Sequence, residues 1–210
     1  LRYEGDQTMT WGGMTFLLCG LEPSALMAET NAKEAWQGVR GKSTVLKTFE
    51  REKNSDLDSR RSMIRTDYTD NIELTDPYSY DNNGIPIVKY YNLNKDGSLP
   101  PSKEAWVDFP MFRLGEIYLN YAEAVLRGGA GGDKATALTY VNALRQRAYT
   151  DKAAAPIASS DLTLDFLLDE KGREFFYEAQ RRTDLVRYGK FTSGDYVWPW
   201  KGGVLAGTGV

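Results

Sequence analysis

Residues 113–127 read RLGEIYLNYAEAVLR, and residues 162–189 read LTLDFLLDEKGREFFYEAQRRTDLVRYG. In the first stretch Leu114, Ile117, Tyr118, Tyr121 and Val125 share one helical face, with Leu119 and Leu126 opposite. A helix apolar on nearly every side predicts burial between other elements. Asp108 and Pro110 precede it, since proline is tolerated in a first helical turn, so the helix is expected over residues 111–127. The run Gly128-Gly129-Ala130-Gly131-Gly132 ends it. A second helix is expected over 133–149, where Leu138, Val141, Leu144, Arg145 and Ala148 recur at helical spacing. Two helices joined by a short glycine loop predict an αα-hairpin. Leu114-Gly115-x-x-Tyr118 matches part of the tetratricopeptide consensus.

In the second stretch Asp161 or Thr163 can cap a helix over 164–179, and a short helix over 180–188 ends at Gly189. Gly172 inside it costs roughly 1 kcal/mol relative to alanine. Glu170, Glu174 and Glu178 lie four apart, followed by Arg181, Arg182, Asp184 and Arg187. Paired carboxylates can hydrolyse a glycoside when held across a sugar ring. Same-face spacing sets these side by side instead. The sequence therefore predicts an ion-pair lattice, with Glu178–Arg182 at i,i+4 and Arg181–Asp184 at i,i+3.

Upstream the pattern dissolves. Residues 43–49, STVLKTF, suit a short helix or a strand equally. Residues 55–81 are polar and rich in turn formers. Residues 85–92 are β-branched and aromatic, and the following Asn94-Lys95-Asp96-Gly97 suits a hairpin turn. Asn92-x-Asn94-x-Asp96-Gly97 imitates an EF-hand start, but Lys103 stands where a bidentate glutamate is needed. Residues 15–20, TFLLCG, superficially resemble a lipoprotein cleavage box, yet Leu18 is too large for the position before the cysteine. A buried thiol in a short strand or turn is the expectation there.

Across all 210 residues, 26 basic and 29 acidic side chains give a net charge of −3. That balance, without like-charge blocks, offers nothing to nucleic acid. The chain has no histidine and one cysteine. It therefore lacks the commonest general base and metal ligand, and any intrachain disulfide. No cofactor, metal or catalytic residue is expected.

Aromatic side chains are abundant: 5 Trp, 13 Tyr and 8 Phe. Sugars present apolar C–H faces that lie on aromatic rings while their hydroxyls seek polar partners. Trp36, in Glu34-Ala35-Trp36-Gln37-Gly38-Val39-Arg40, and Trp11, between Thr10 and Gly12-Gly13, lie in loop-like sequence, where binding residues concentrate. Trp36, Trp11, Gln37 and Arg40 are thus the candidate ligand-binding residues; for either tryptophan, packing in the core is the plainer alternative.

Several motifs together resemble the SusD/RagB family of Bacteroidota. They are residues 84–90, GIPIVKY; Phe109-Pro110 with 113–124, RLGEIYLNYAEA; 137–148, ALTYVNALRQRA; and Asp169-Glu170, Arg173-Glu174, Glu178, Arg182 and Asp184-Leu185-Val186-Arg187. The likeness covers residues 85–189 well and 1–84 loosely. It implies a mostly α fold, a tetratricopeptide-type helical hairpin packed with an irregular loop-rich region and a few short strands. A loop-rich ligand-binding region over 1–84 and a helical region over 85–210 would form one continuous domain, with the family's N-terminal half and its lipid anchor outside this sequence. The resemblance further implies a surface-exposed lipoprotein of the outer membrane that binds oligosaccharide or polysaccharide without catalysis. Such a protein would deliver its ligand to a SusC-like TonB-dependent transporter. Oligopeptide capture, as in RagB-like members, is the alternative within the family, and a glycan-degrading enzyme the alternative outside it.

Overall fold

The computed structural model describes residues 14–21, 24–36, 38–72, 84–99, 104–193 and 196. Among them lie seven α-helices: α1 (Met14–Leu21), α2 (Met27–Thr30), α3 (Ser43–Glu50), α4 (Leu114–Leu126), α5 (Lys134–Ala148), α6 (Leu164–Glu174) and α7 (Arg181–Arg187). Short 3-10 turns at Ser24–Leu26, Ser55–Leu57, Ser59–Met63 and Thr66–Tyr68 join them. The expected short strands are reduced, among the described residues, to isolated bridges such as Gly41 with Ile85 and Ile64 with Ile87. The fold is mostly helical, and it separates into two compact units. A loop-rich unit holds Leu1–Leu46 and Ser62–Met111; a helical unit holds Lys47–Arg61 and Phe112–Val210.

In the helical unit, α4 and α5 form the expected hairpin. Asp133 caps α5, its carboxylate accepting from the Thr136 backbone N–H at 2.8 Å and the Thr136 hydroxyl at 2.8 Å. Leu119 and Ala122 of α4 meet Ala137, Val141 and Leu144 of α5, and Leu162, Leu167 and Phe175 complete the core. Full burial of each large aliphatic side chain contributes roughly 1.5–3 kcal/mol. Tyr140 stacks on Tyr118 at 4.3 Å between ring centroids and meets Tyr121 edge-on at 5.3 Å.

Two expectations about α4 change. Leu114 is 61% and Ile117 59% exposed, so this helix buries the Leu119/Ala122 side and leaves an apolar outer face. It also starts at Leu114, because Arg113 stays extended (φ −148°, ψ 159°) with its side chain drawn into an ion-pair lattice.

Thr163 caps α6, accepting from the Phe166 N–H at 3.2 Å. The expected run to residue 179 stops at Glu174. Tyr177 (φ 59°) and Ala179 (φ 62°) are left-handed, which is costly for a bulky tyrosine. What the turn gains is geometric: the Glu174 carbonyl, released from helical bonding, accepts from Arg113 Nη2 at 2.6 Å. The turn also brings Glu178 to Arg113 Nε at 2.6 Å. Gly172 has a packing reason, since a Cβ there would meet Arg181 Nη1 at 2.9 Å and Thr48 Cγ2 at 3.1 Å.

In the loop-rich unit, Ile85, Ile87, Val88 and Tyr90 are buried. Backbone bonds fix the strip they lie on: Gly41 and Ile85 exchange a pair, N–H to carbonyl at 2.7 and 2.8 Å, and Arg65 N–H reaches Pro86 at 3.0 Å, Val88 N–H Met63 at 2.8 Å and Asn92 N–H Thr30 at 2.7 Å. Residues 43–49 resolve as helix α3, whose first four residues belong to this unit. Residues 15–20 fall in α1, which corrects the strand-or-turn reading: Met14, Thr15 and Leu18 turn inward while Phe16 remains 49% exposed. The turn at Asn94–Gly97 forms, with Gly97 at φ 83°, and closes by Asn94 N–H to Ser98 at 2.9 Å rather than by a strand ladder.

Candidate ligand-binding site

Trp36 lies in the extended segment between α2 and α3, after Asn31 ends α2 in the left-handed conformation (φ 59°). Its indole Nε1 donates to Glu34 Oε2 at 3.0 Å, which fixes the ring's orientation. The half-buried indole meets the exposed Phe16 of α1, with ring centroids 6.1 Å apart at 54°. This gives the loop-rich unit a tilted pair of aromatic rings, a geometry suited to apolar ligand faces. Arg40 is half-buried further along the same segment. Trp11 and Gln37 lie outside the described residues. Phe16 was not a sequence candidate; its signal becomes readable only once residues 14–21 are taken as a helix with Met14, Thr15 and Leu18 inward.

The carboxylate ladder forms a lattice with other partners than those expected. Arg113 pairs with Glu178, and Arg182 lies over the Phe191 ring at 4.9 Å. Arg181 donates to the Leu168 carbonyl at 2.7 Å and the Tyr196 hydroxyl at 2.6 Å. Glu170, fully buried, accepts from Arg60 at 2.9 Å, Arg173 at 2.7 Å and Arg145 at 3.3 Å. Glu174 accepts from Arg60 at 2.8 Å, and also from Arg113 and Arg147. Arg145 and Arg173 share Glu52, and Arg60 reaches back to Asp58. Five guanidinium groups thus face the five carboxylates of Glu52, Asp58, Glu170, Glu174 and Glu178. Sequence periodicity could show only the local members, because Glu52, Asp58, Arg60 and Arg113 come from distant chain.

The electrostatics follow from that geometry. Burial pushes the Glu170 and Glu174 carboxyls up, but Arg60 and its neighbours outweigh it and hold both below the ordinary glutamate value. A second cluster surrounds Glu123. Burial again opposes ionisation, yet hydrogen bonds from Arg187, Lys171 and Arg127 bring its pKa down to about 2. The fully buried Lys171 reaches Glu123 at 3.0 Å and the Asn120 side-chain oxygen at 2.6 Å. A glycosidase general acid needs a raised pKa and access to substrate. These glutamates are lowered and enclosed by cations. Among the described residues there is no group of three or more His, Cys, Asp or Glu side chains that could hold a metal. No helix among them is long and apolar enough to cross a membrane.

In this mostly helical chain the helical unit buries a carboxylate–guanidinium lattice, and the loop-rich unit carries the Phe16–Trp36 ring pair. A sequence model of the SusD family matches residues 27–204, and the chain belongs to that family. It is 31% identical over 255 aligned residues to the starch-binding protein SusD of Bacteroides thetaiotaomicron, covering all of this chain and 43% of that protein. It is also 31% identical over 130 residues to the SusD-like protein P25 of Formosa agariphila, covering 60% of this chain and 23% of that protein. The chain spans less than half the length of either curated relative.

Proposed function

We propose that this chain is part of a non-catalytic, surface-exposed outer-membrane lipoprotein that captures oligosaccharides for a SusC-like TonB-dependent transporter. The observation that carries this reading is the Phe16–Trp36 ring pair on the loop-rich unit, in a chain whose full length aligns with a starch-binding relative. Trp36, its indole held by Glu34, is the platform. Arg40 and Gln37 would serve the hydroxyls, and Trp11 is the weaker second platform. The reading without catalysis is supported by the state of the glutamate ladder: Glu170 and Glu174 are enclosed by guanidinium groups that hold them below the ordinary glutamate value, and Glu178 is paired with Arg113.

Stacked contact with a well-hydrated sugar gives modest affinity, on the order of micromolar to millimolar. Titration of linear glucan, xylan and mannan oligosaccharides against the full chain should show saturable binding with no product formed. Trp36→Ala should weaken the bound sugar about tenfold, because one stacked ring is worth roughly 1–2 kcal/mol. Glu174→Gln, compared at equal folded fraction, should leave binding unchanged, since this glutamate belongs to the lattice and not to the ring pair. Binding of peptides alone would transfer the reading to peptide capture, and release of shortened sugars would overturn it.

A further inference from the structure

A second set of ring and polar groups lies in the loop-rich unit, and it shares no residue with the candidate site above. Tyr91 is 42% exposed, and its hydroxyl lies 3.5 Å from Glu29 Oε1 on α2. The other oxygen of Glu29 accepts from Arg65 Nη1 at 2.5 Å. Arg65 Nε and Nη2 donate to Asp67 at 3.2 and 3.1 Å, and its guanidinium carbon lies 4.6 Å from the centre of the Tyr68 ring. Tyr91, Glu29, Arg65 and Tyr68 therefore form one connected chain of contacts with an aromatic ring at each end.

The backbone beneath this chain is pinned. The Asn92 N–H donates to Thr30 at 2.7 Å, next to Glu29, and the Arg65 N–H donates to Pro86 at 3.0 Å. The Arg65 side chain is only 16% exposed, while those of Glu29 and Asp67 are 43% and 62% exposed. As a source of stability, such exposed carboxylates contribute little. As a recognition surface they are well placed. The guanidinium has five N–H groups, of which these bonds use three. Two donors on Arg65 and the open lone pairs of Glu29 and Asp67 thus sit side by side. Vicinal hydroxyls need that arrangement, because each both donates and accepts.

We infer that Tyr91, Tyr68, Arg65, Glu29 and Asp67 form a second carbohydrate-contact face, selective for neutral over anionic sugars. This inference rests on the oligosaccharide-binding reading above. The rings supply the apolar surface and the Arg65–carboxylate bridge meets the hydroxyls. Selectivity follows from charge: two carboxylates against one guanidinium leave the face net negative, which repels uronate or sulfate groups.

The test is calorimetric titration of the full chain with maltoheptaose, cellohexaose, xylohexaose and mannohexaose as neutral probes and trigalacturonate as the anionic one. Tyr91→Ala should weaken the neutral probe that binds by about tenfold without moving the thermal unfolding midpoint. Tyr91→Phe, which keeps the ring, should retain most of the affinity. Trigalacturonate should bind more weakly than that probe, and Glu29→Gln should narrow the gap. Unchanged affinity in Tyr91→Ala, or a preference for trigalacturonate, overturns the inference. Trp36→Ala in the same series separates the two readings: loss there with no loss at Tyr91 leaves the proposed function standing and removes this face. If no neutral probe binds, both fall.

Discussion

In the helical unit Glu170 is fully buried and meets Arg60, Arg145 and Arg173; in the loop-rich unit the Glu29 side chain is 43% exposed and meets Arg65 and the Tyr91 hydroxyl. The same chemistry has opposite consequences. A charge taken out of water must be matched by partners, so each member of the buried lattice becomes obligatory to the fold. A charge left at the surface keeps its water, and its partners are optional. The helical unit therefore consumes its lattice carboxylates internally, whereas the loop-rich unit retains Tyr91, Glu29 and Asp67 at its surface.

Acid should produce the largest effect. The folded-state carboxyls of Glu123, Glu170 and Glu174 lie below the ordinary glutamate value of 4.5, with Glu123 at about 2. Groups lowered by folding stabilise the native state above the unfolded pKa and lose that contribution as pH falls through the folded one. Helicity followed by circular dichroism should hold from neutral pH to roughly pH 5 and be lost between about pH 4.5 and 2. A stability unchanged across that window would show that the lattice is not what holds the helical unit.

Next in size is a pair of single substitutions that sets the two units against each other. Glu170→Ala leaves three buried guanidinium groups without a central anion and should cost about 3–5 kcal/mol in chemical denaturation. Glu29→Gln removes a charge that water already screens and should cost about 0–1 kcal/mol. Equal losses would mean that burial does not set the strength of these ion pairs.

The smallest effect has a diagnostic sign. Helix propensity alone makes Gly172→Ala stabilising by about 1 kcal/mol. The added Cβ, however, would push on Arg181 Nη1 and break its bond to the Leu168 carbonyl. A net loss of about 1 kcal/mol is expected, since a bond to a charged group is worth roughly 1.5–3 kcal/mol. In an Arg181→Ala background the sign should reverse. A stabilised Gly172→Ala single variant would mean that Arg181 moves aside freely.

How far the sequence could be read depended on how local the cause was. The hairpin, the caps at Asp133 and Thr163 and the stop at Gly128 were legible because each is fixed by neighbours within a few residues. The outer face of α4 was misjudged, because periodicity shows that Leu114 and Ile117 are apolar but not which side another element covers. Of the candidate site, Trp36 was visible from its loop-like setting. Phe16 was missed because a six-residue apolar run carries no clear period.

What the sequence by itself determined is the family, the helical class and the presence of many carboxylates and guanidinium groups at helical spacing. Only the tertiary structure decided which of them pair. It held Arg113 extended, ended α6 at Glu174 through two left-handed residues, and brought Glu52, Asp58 and Arg60 to Glu170 and its arginines. The physical reason is that an exposed ion pair is a weak, local preference. A buried charge carries a desolvation cost of several kcal/mol, which only partners drawn from distant parts of the chain can offset.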